Sequence, residues 1–294
     1  METRSDEFES DAAGLLRAYV DEQSEAIRAG EEGLRSGTDA VHPTRVATRR
    51  LRSLIRVFGN LFDAEPARTM DDDLAWYAGL LGAVRERQVL RARFAEAAEA
   101  VPADHALREA LAIVDERLQT QEEQRSDELM AALSAARYRS LLDALSAWRI
   151  APPLRSGAEA ADPEVLLAFV RAAGRNADKR LAASTSRRHG PDDLHRARKA
   201  AKRARYAAEV ARSVLGEKIA KATIVRYKAV QESLGEHQDS ADAVALLTTL
   251  RSASRDTQPR LVPAYDELLR REREAAGRAL HQATTLATAA ARPA

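Results

Sequence analysis

The chain has 294 residues, no cysteine, 46 Lys plus Arg against 45 Asp plus Glu, and a formal net charge of +1. That length allows one large or two ordinary domains with a sizeable core, and the lack of cysteine excludes disulfides and thiolate metal sites and favours a reducing compartment. Near-zero net charge argues against a polyanion partner, but the charge is segregated: His42 to Phe62 holds five arginines and no acid, while acids crowd the first ten residues and Glu122, Glu123, Asp127 and Glu128.

The first ten residues are polar without an apolar signal core, and no run approaches the roughly 18 apolar residues of a membrane span. The expectation is a soluble, cytoplasmic protein without a membrane partner. Alanine, leucine, arginine and glutamate dominate and strand-like alternation is absent, so helix is expected throughout. In chain order, helices are expected at about 11–35, 39–62, 66–98, 103–134 and 136–149, and after an interruption at about 163–186, 191–214, 216–250 and 259–288. Ala151-Pro152-Pro153 and Ser156-Gly157 make that interruption. Ser36-Gly37-Thr38-Asp39 and Gly190-Pro191-Asp192-Asp193 break the chain before the second helix of each half, with Asp39 and Asp192 as expected N-caps. The fold class is therefore all-α, in two tandem helical bundles at residues 11–150 and 163–288.

The halves are an internal duplication. His42-Pro-Thr-Arg45-Val-Ala-Thr-Arg49-Arg50-Leu-Arg52 returns as His195-Arg-Ala-Arg198-Lys199-Ala-Ala-Lys202-Arg203-Ala-Arg205, and Leu81-Gly82 returns as Leu234-Gly235 at the same offset of 153. A weaker echo at offset 150 relates Leu15-Leu16-Arg-Ala-Tyr19-Val20 to Val165-Leu166-Leu-Ala-Phe169-Val170. Packing repeats core residues; a repeated cationic stripe points to a repeated ligand contact.

On a helix, His42, Arg45, Arg49, Arg52 and Arg56 fall within an arc of about 80°, forming a ridge about 20 Å long. Leu51, Leu54, Ile55 and Phe58 take the opposite side. The second copy repeats the ridge with His195, Arg198, Lys202 and Arg205 and departs at Glu209, with Lys199, Arg203 and Tyr206 beside it. Like charges at i,i+3 and i,i+4 repel, which a bound polyanion relieves. Arginine suits phosphate because its planar fork donates two parallel hydrogen bonds, and histidine adds a donor. The glycines inside helical stretches suggest a break or a close approach of backbones. Four residues after each comes an acid, Glu86 or Asp239, placed to pair with stripe arginines or simply to make a surface ion pair.

These motifs together resemble the CHAD domain family, named for a conserved histidine in an α-helical domain. The matching pieces also include Arg85-Glu86-x-x-Val89 after the first Leu-Gly, Tyr206-x-x-Glu209 at the end of the second stripe, and Gln238-Asp239 after the second Leu-Gly. The resemblance implies two pseudo-symmetric bundles forming one compact unit, with basic helices facing a shared cavity or channel. It implies binding of inorganic polyphosphate, association with polyphosphate granules, polyphosphate-metabolising enzymes as possible partners, and no catalysis or cofactor. The binding positions it implies are His42, Arg45, Arg49, Arg50, Arg52, His195, Arg198, Lys199, Lys202, Arg203 and Arg205, with Lys221 and Lys228 as further candidates; the stripe geometry adds Arg56. The family's usual Arg-Asp-x-Asp is here Arg85-Glu86-Arg87-Gln88, which removes one acid and adds a cation.

Other classes are weaker. Arg187-Arg188-His189-Gly190 spells the Arg-His-Gly of histidine phosphatases only as a tripeptide in a linker, and no carboxylate cluster offers the divalent-metal site usual in phosphoryl transfer. His189, Asp192, Asp193 and His195 carry metal-ligating groups, but capping explains the aspartates more simply. Nucleic acid is expected only as a non-specific polyanion, because aromatics are 4% of the chain and only Tyr206 accompanies a stripe. A scaffold for acidic partners shares the same surface.

Overall fold

Sparse β-branched residues and frequent alanine, leucine and glutamate favour helix, and a computed structural model, describing residues 11–99, 104–158, 161–185 and 190–290, contains no strand among them. The α-helices are α1 (Ala12–Arg35), α2 (Val41–Phe58), α3 (Ala64–Glu99), α4 (His105–Leu133), α5 (Ala136–Ile150), α6 (Val165–Ser184), α7 (Pro191–Val210), the single turn α8 (Arg212–Leu215), α9 (Glu217–Thr257) and α10 (Val262–Ala290). The all-α expectation holds. The duplication extends to element bounds, since α3 begins at Ala64 and α9 at Glu217, again 153 positions apart.

Helix starts differ from the sequence expectation. The N-cap of α2 is Ala40, with no side-chain capping bond, and Asp39 is exposed. The backbone does the work instead: Gly37 takes φ +76°, a conformation that suits glycine, Thr38 N–H donates to Gly33 O (2.9 Å) and Ala40 N–H to Thr38 O (2.8 Å). In α7 Asp192 sits within the first turn, and the Asp193 carboxylate takes the Gly190 N–H at 3.0 Å. The expected helix 191–214 is broken at Ala211. The Arg187-Arg188-His189 stretch lies outside the described residues.

The described residues form two compact units, each drawing on both halves of the sequence. The first unit combines described residues up to Gly82 with 128–180 and 199–229; the second combines 83–127, 181–198 and residues from 230 onward. In the first unit, Leu16, Val20 and Ile27 of α1, Leu51, Leu54 and Phe58 of α2, and Tyr138, Leu141 and Leu145 of α5 are buried; removing each such side chain from water contributes about 1.5–3 kcal/mol. α1 and α2 approach closely because residue 30 is glycine: a Cβ there would collide with the Thr44 hydroxyl, which bonds back to Ala40 O at 2.6 Å. The connection between the sequence halves docks on this unit through Asp63 N–H to Pro153 O (2.8 Å) and Arg155 N–H to Leu61 O (3.0 Å), beside the stacked rings of Phe62 and Trp148.

The second unit is built on Leu90 and Phe94 of α3, Leu111, Val114 and Leu118 of α4, Leu247 of α9, and Tyr265 and Leu268 of α10. A polar clamp ties its helices together. Arg93 donates to Glu272 Oε2 (2.8 Å) and Ser240 Oγ (2.9 Å) and pairs with Glu236 (2.7 Å). Glu272 is a buried carboxylate, tolerated because the guanidinium meets it with aligned hydrogen bonds.

Candidate anion-binding site

The apolar half of α2 does what its periodicity predicts, with Leu51, Leu54, Ile55 and Phe58 buried. Seating that face leaves the cationic ridge at the periphery: His42 and Arg56 are exposed, and Arg45, Arg49, Arg50 and Arg52 are half-buried. On α7, His195 and Lys199 are exposed and Arg198, Lys202, Arg203 and Arg205 half-buried. Lys221 and Lys228 are exposed on the first part of α9.

In the first unit the stripe of α2 meets the part of α7 from Lys199 onward, whereas His195 and Arg198 belong to the second unit. Arg52 Nε donates to Asp71 Oδ1 (3.0 Å), and Arg56 reaches Asp71 Oδ2 with Nε (2.9 Å) and Nη2 (2.8 Å). Asp71, on α3, thus holds two stripe arginines by one carboxylate. Lys199 and Arg203 make no ion pair among the described residues. Partial desolvation, then the charges of Arg56, Arg203 and Arg52, hold the Lys199 ammonium below the usual lysine range. Burial, then Arg56 and Arg52 against the opposing pull of Asp71, likewise lowers Arg203. Four cations therefore lie within one another's fields, and Asp71, paired with Arg52 and Arg56, is the carboxylate the described contacts set against them.

A second acid accounts for the other arginines. Glu209, where the second stripe departs from the first, sits 3.1 Å from Arg50 Nε and 3.4 Å from Arg205 Nε. These are close ion pairs rather than aligned hydrogen bonds, since neither Nε has a hydrogen-bond partner. Arg205 also lies 4.4 Å from the Tyr206 ring centroid, within cation–π range. Within the field of this group, the Tyr19 hydroxyl is pushed well above the ordinary tyrosine range, through burial first and the Glu209 charge second. Arg50, Arg52, Arg56 and Arg205 are therefore already engaged by protein carboxylates.

The Leu-Gly elements interrupt no helix, because α3 and α9 run through both. What approaches each glycine is an arginine side chain, not a backbone. A Cβ on Gly82 would lie 3.3 Å from Arg45 Nη1, and one on Gly235 would lie 2.9 Å from Arg198 Nη2. Arg45 with Gly82 belongs to the first unit and Arg198 with Gly235 to the second, so each unit carries one copy of the same seat. In the second unit Arg198 Nε is buried without a hydrogen-bond partner. Asp239 lies within the field of Arg198; burial raises its carboxyl above the ordinary range, Arg198 pulls it down, and Glu236 and Asp242 push it up. Glu86 is exposed and pairs with its neighbour Arg87 at 3.3 Å, so it holds no stripe arginine by a described contact.

A family model for the CHAD domain matches residues 18–248. The chain belongs to the CHAD domain family. Two Mycobacterium tuberculosis proteins, uncharacterized protein MT2285 of strain CDC 1551 / Oshkosh and uncharacterized protein Rv2226 of strain ATCC 25618 / H37Rv, are each 32% identical over 237 residues, which is 78% of this chain and 44% of theirs. The chain thus spans less than half the length of those relatives. Among solved structures, the CHAD domain from the plant Ricinus communis is 25% identical with a TM-score of 0.69, covering 92% of each chain. PptA from Streptomyces chartreusis is 20% identical with a TM-score of 0.78, covering 95% of this chain and all of that one, and shows the shared fold.

Within this CHAD domain, sequence reasoning found the cations and missed their acids. Asp71 sits in the run Asp71-Asp72-Asp73, which carries no mark singling it out, and its role comes only from the approach of α3 to α2. Glu209 carried a signal, since it stands 153 positions after Arg56: a reversal of charge within a repeat marks a cross-pair. Among the described residues no helix is long and apolar enough to cross a membrane.

Proposed function

We propose that this CHAD domain binds inorganic polyphosphate. The observation that carries the reading is the cluster of Arg52, Arg56, Lys199 and Arg203, in which Asp71 pairs with Arg52 and Arg56 and neither Lys199 nor Arg203 makes an ion pair among the described residues. Such a group is held together against its own repulsion and gains most from a ligand that is negative at every repeat. Asp71 fixes the rotamers of Arg52 and Arg56, so less side-chain entropy is lost when phosphate arrives. Lys199 and Arg203, which make no ion pair among the described residues, supply the excess charge. The seats of Arg45 over Gly82 and Arg198 over Gly235 support the same reading, and the orphan Nε of Arg198 wants an acceptor. No step of catalysis is proposed. Association with cytoplasmic polyphosphate granules, and with enzymes that make or consume the polymer, follows from the same affinity.

The test is calorimetric titration with long-chain polyphosphate at fixed salt. Lys199→Gln with Arg203→Gln should weaken binding at least about tenfold while leaving thermal stability equal or higher, because the lost charges repel one another. Unchanged affinity in that double variant would overturn the reading. Competition by single-stranded RNA and duplex DNA at equal phosphate concentration separates polyphosphate selectivity from generic polyanion binding.

A further inference from the structure

We propose that the first unit also takes a nucleoside polyphosphate, with the base in a cavity beside Arg56 and Arg203 and the phosphates on the neighbouring cations. This rests on reading that cluster as a phosphate site. An inorganic chain has no apolar surface, yet the cations border a cavity of about 220 Å³ lined by Val57, Phe169, Ala172, Ala173 and Asn176 as well as Arg56 and Arg203. That volume is below the roughly 300–1,000 Å³ of a site for a whole drug-sized ligand. It suits one flat ring system whose charged remainder lies outside.

The lining has the chemistry of a base site. Phe169 packs one way on Phe58, with centroids 5.6 Å apart, and remains half-exposed, so its ring is positioned and available for stacking. Asn176 is exposed at the same cavity, and its amide both donates and accepts, as the edge of a heterocyclic base requires. Arginine planes at the rim stack on bases as well as bind phosphate. The repeat shows how the room arises. At offset 150, Phe169, Ala172 and Ala173 correspond to Tyr19, Glu22 and Gln23; Tyr19 and Gln23 are buried, whereas α6 has two alanines in place of the longer side chains and keeps an aromatic ring facing the space.

The decisive comparison is adenosine triphosphate against inorganic tripolyphosphate, both with three phosphates, titrated calorimetrically into the full chain at fixed ionic strength with a chelator present. The nucleotide should bind about tenfold tighter, within what one base stacked on an aromatic ring contributes. Ala173→Trp, which fills the cavity and removes no cation, should erase that advantage while tripolyphosphate still binds. Phe169→Leu should do the same; if losing the Phe58 contact unfolds it, Ala173→Trp still decides. Equal affinity for the two ligands overturns the cavity proposal and leaves the phosphate reading standing. So does a nucleotide advantage that survives Ala173→Trp, which places the base elsewhere. Failure to bind either short ligand overturns the proposal; failure to bind long-chain polyphosphate as well overturns both.

Discussion

Arg198 Nη2 lies 2.9 Å from the point a Cβ on Gly235 would occupy, and Arg45 Nη1 stands 3.3 Å from the corresponding point on Gly82. Both glycines are buried in uninterrupted helices, where alanine is intrinsically better by up to about 1 kcal/mol. Two copies retain the poorer helix former at the place where a guanidinium must lie flat across a helix.

Gly235→Ala should therefore separate stability from binding. The guanidinium is the mobile end of a flexible side chain and can move aside, so thermal unfolding should occur at the same temperature or higher. Polyphosphate affinity should fall about three- to tenfold, because Arg198 leaves its seat. Gly82→Ala, where the clearance is larger, should show a smaller loss. A drop in melting temperature without a change in affinity would mean that the glycines serve helix packing alone.

Glu209→Gln should be the most damaging single charge change near the stripes. It leaves Arg50 and Arg205 half-buried without their carboxylate, and a destabilisation of about 1–3 kcal/mol is expected from chemical denaturation. Replacing Arg50, Arg205 and Glu209 together by methionine should recover much of that loss, since the cost lies in the unpaired charges.

Asp71→Asn removes the carboxylate that Arg52 and Arg56 share. The free protein should lose about 1–2 kcal/mol, and the stabilisation of the fold by added polyphosphate should grow relative to the parent, because the ligand then supplies all the missing negative charge. A thermal-shift series in polyphosphate measures both; an unaltered ligand response would remove the cluster from the binding site.

Asp239 predicts a pH dependence in the second unit. Its folded pKa is raised by burial, so the folded chain binds more protons than the unfolded chain between the ordinary value of 3.8 and the raised one. Stability contributed by this group is present at acid pH and is lost as pH rises through that window. Asp239→Asn should flatten this part of the stability profile, read by denaturant titration from about pH 4 to about pH 7. Because Arg198 pulls the pKa down, Arg198→Gln should raise it further, as carboxyl carbon NMR would register.

Legibility in the sequence varied with the range of the interaction. Helices such as α1, expected at 11–35 and found at Ala12–Arg35, depend on composition and period, which neighbours in the chain carry. Capping was less legible: Asp39 has the right chemistry beside Ala40, but the φ of Gly37 and two backbone hydrogen bonds already organise the turn. The glycine in Leu-Gly was visible as an anomaly, and its cause was not, because the arginine that lies over it comes from another helix.

The amino-acid sequence alone determined that the chain is helical, that it is duplicated at an offset of 153, and that each copy sets a cationic ridge opposite an apolar face. Helix period and repeated residues are properties of the chain read along its length. Only the tertiary structure decided which cations are paired, by Asp71 and Glu209, and which make no ion pair among the described residues, Lys199 and Arg203. Electrostatic balance depends on distance through space, and α3 and α7 bring to α2 acids and cations that the chain keeps far apart.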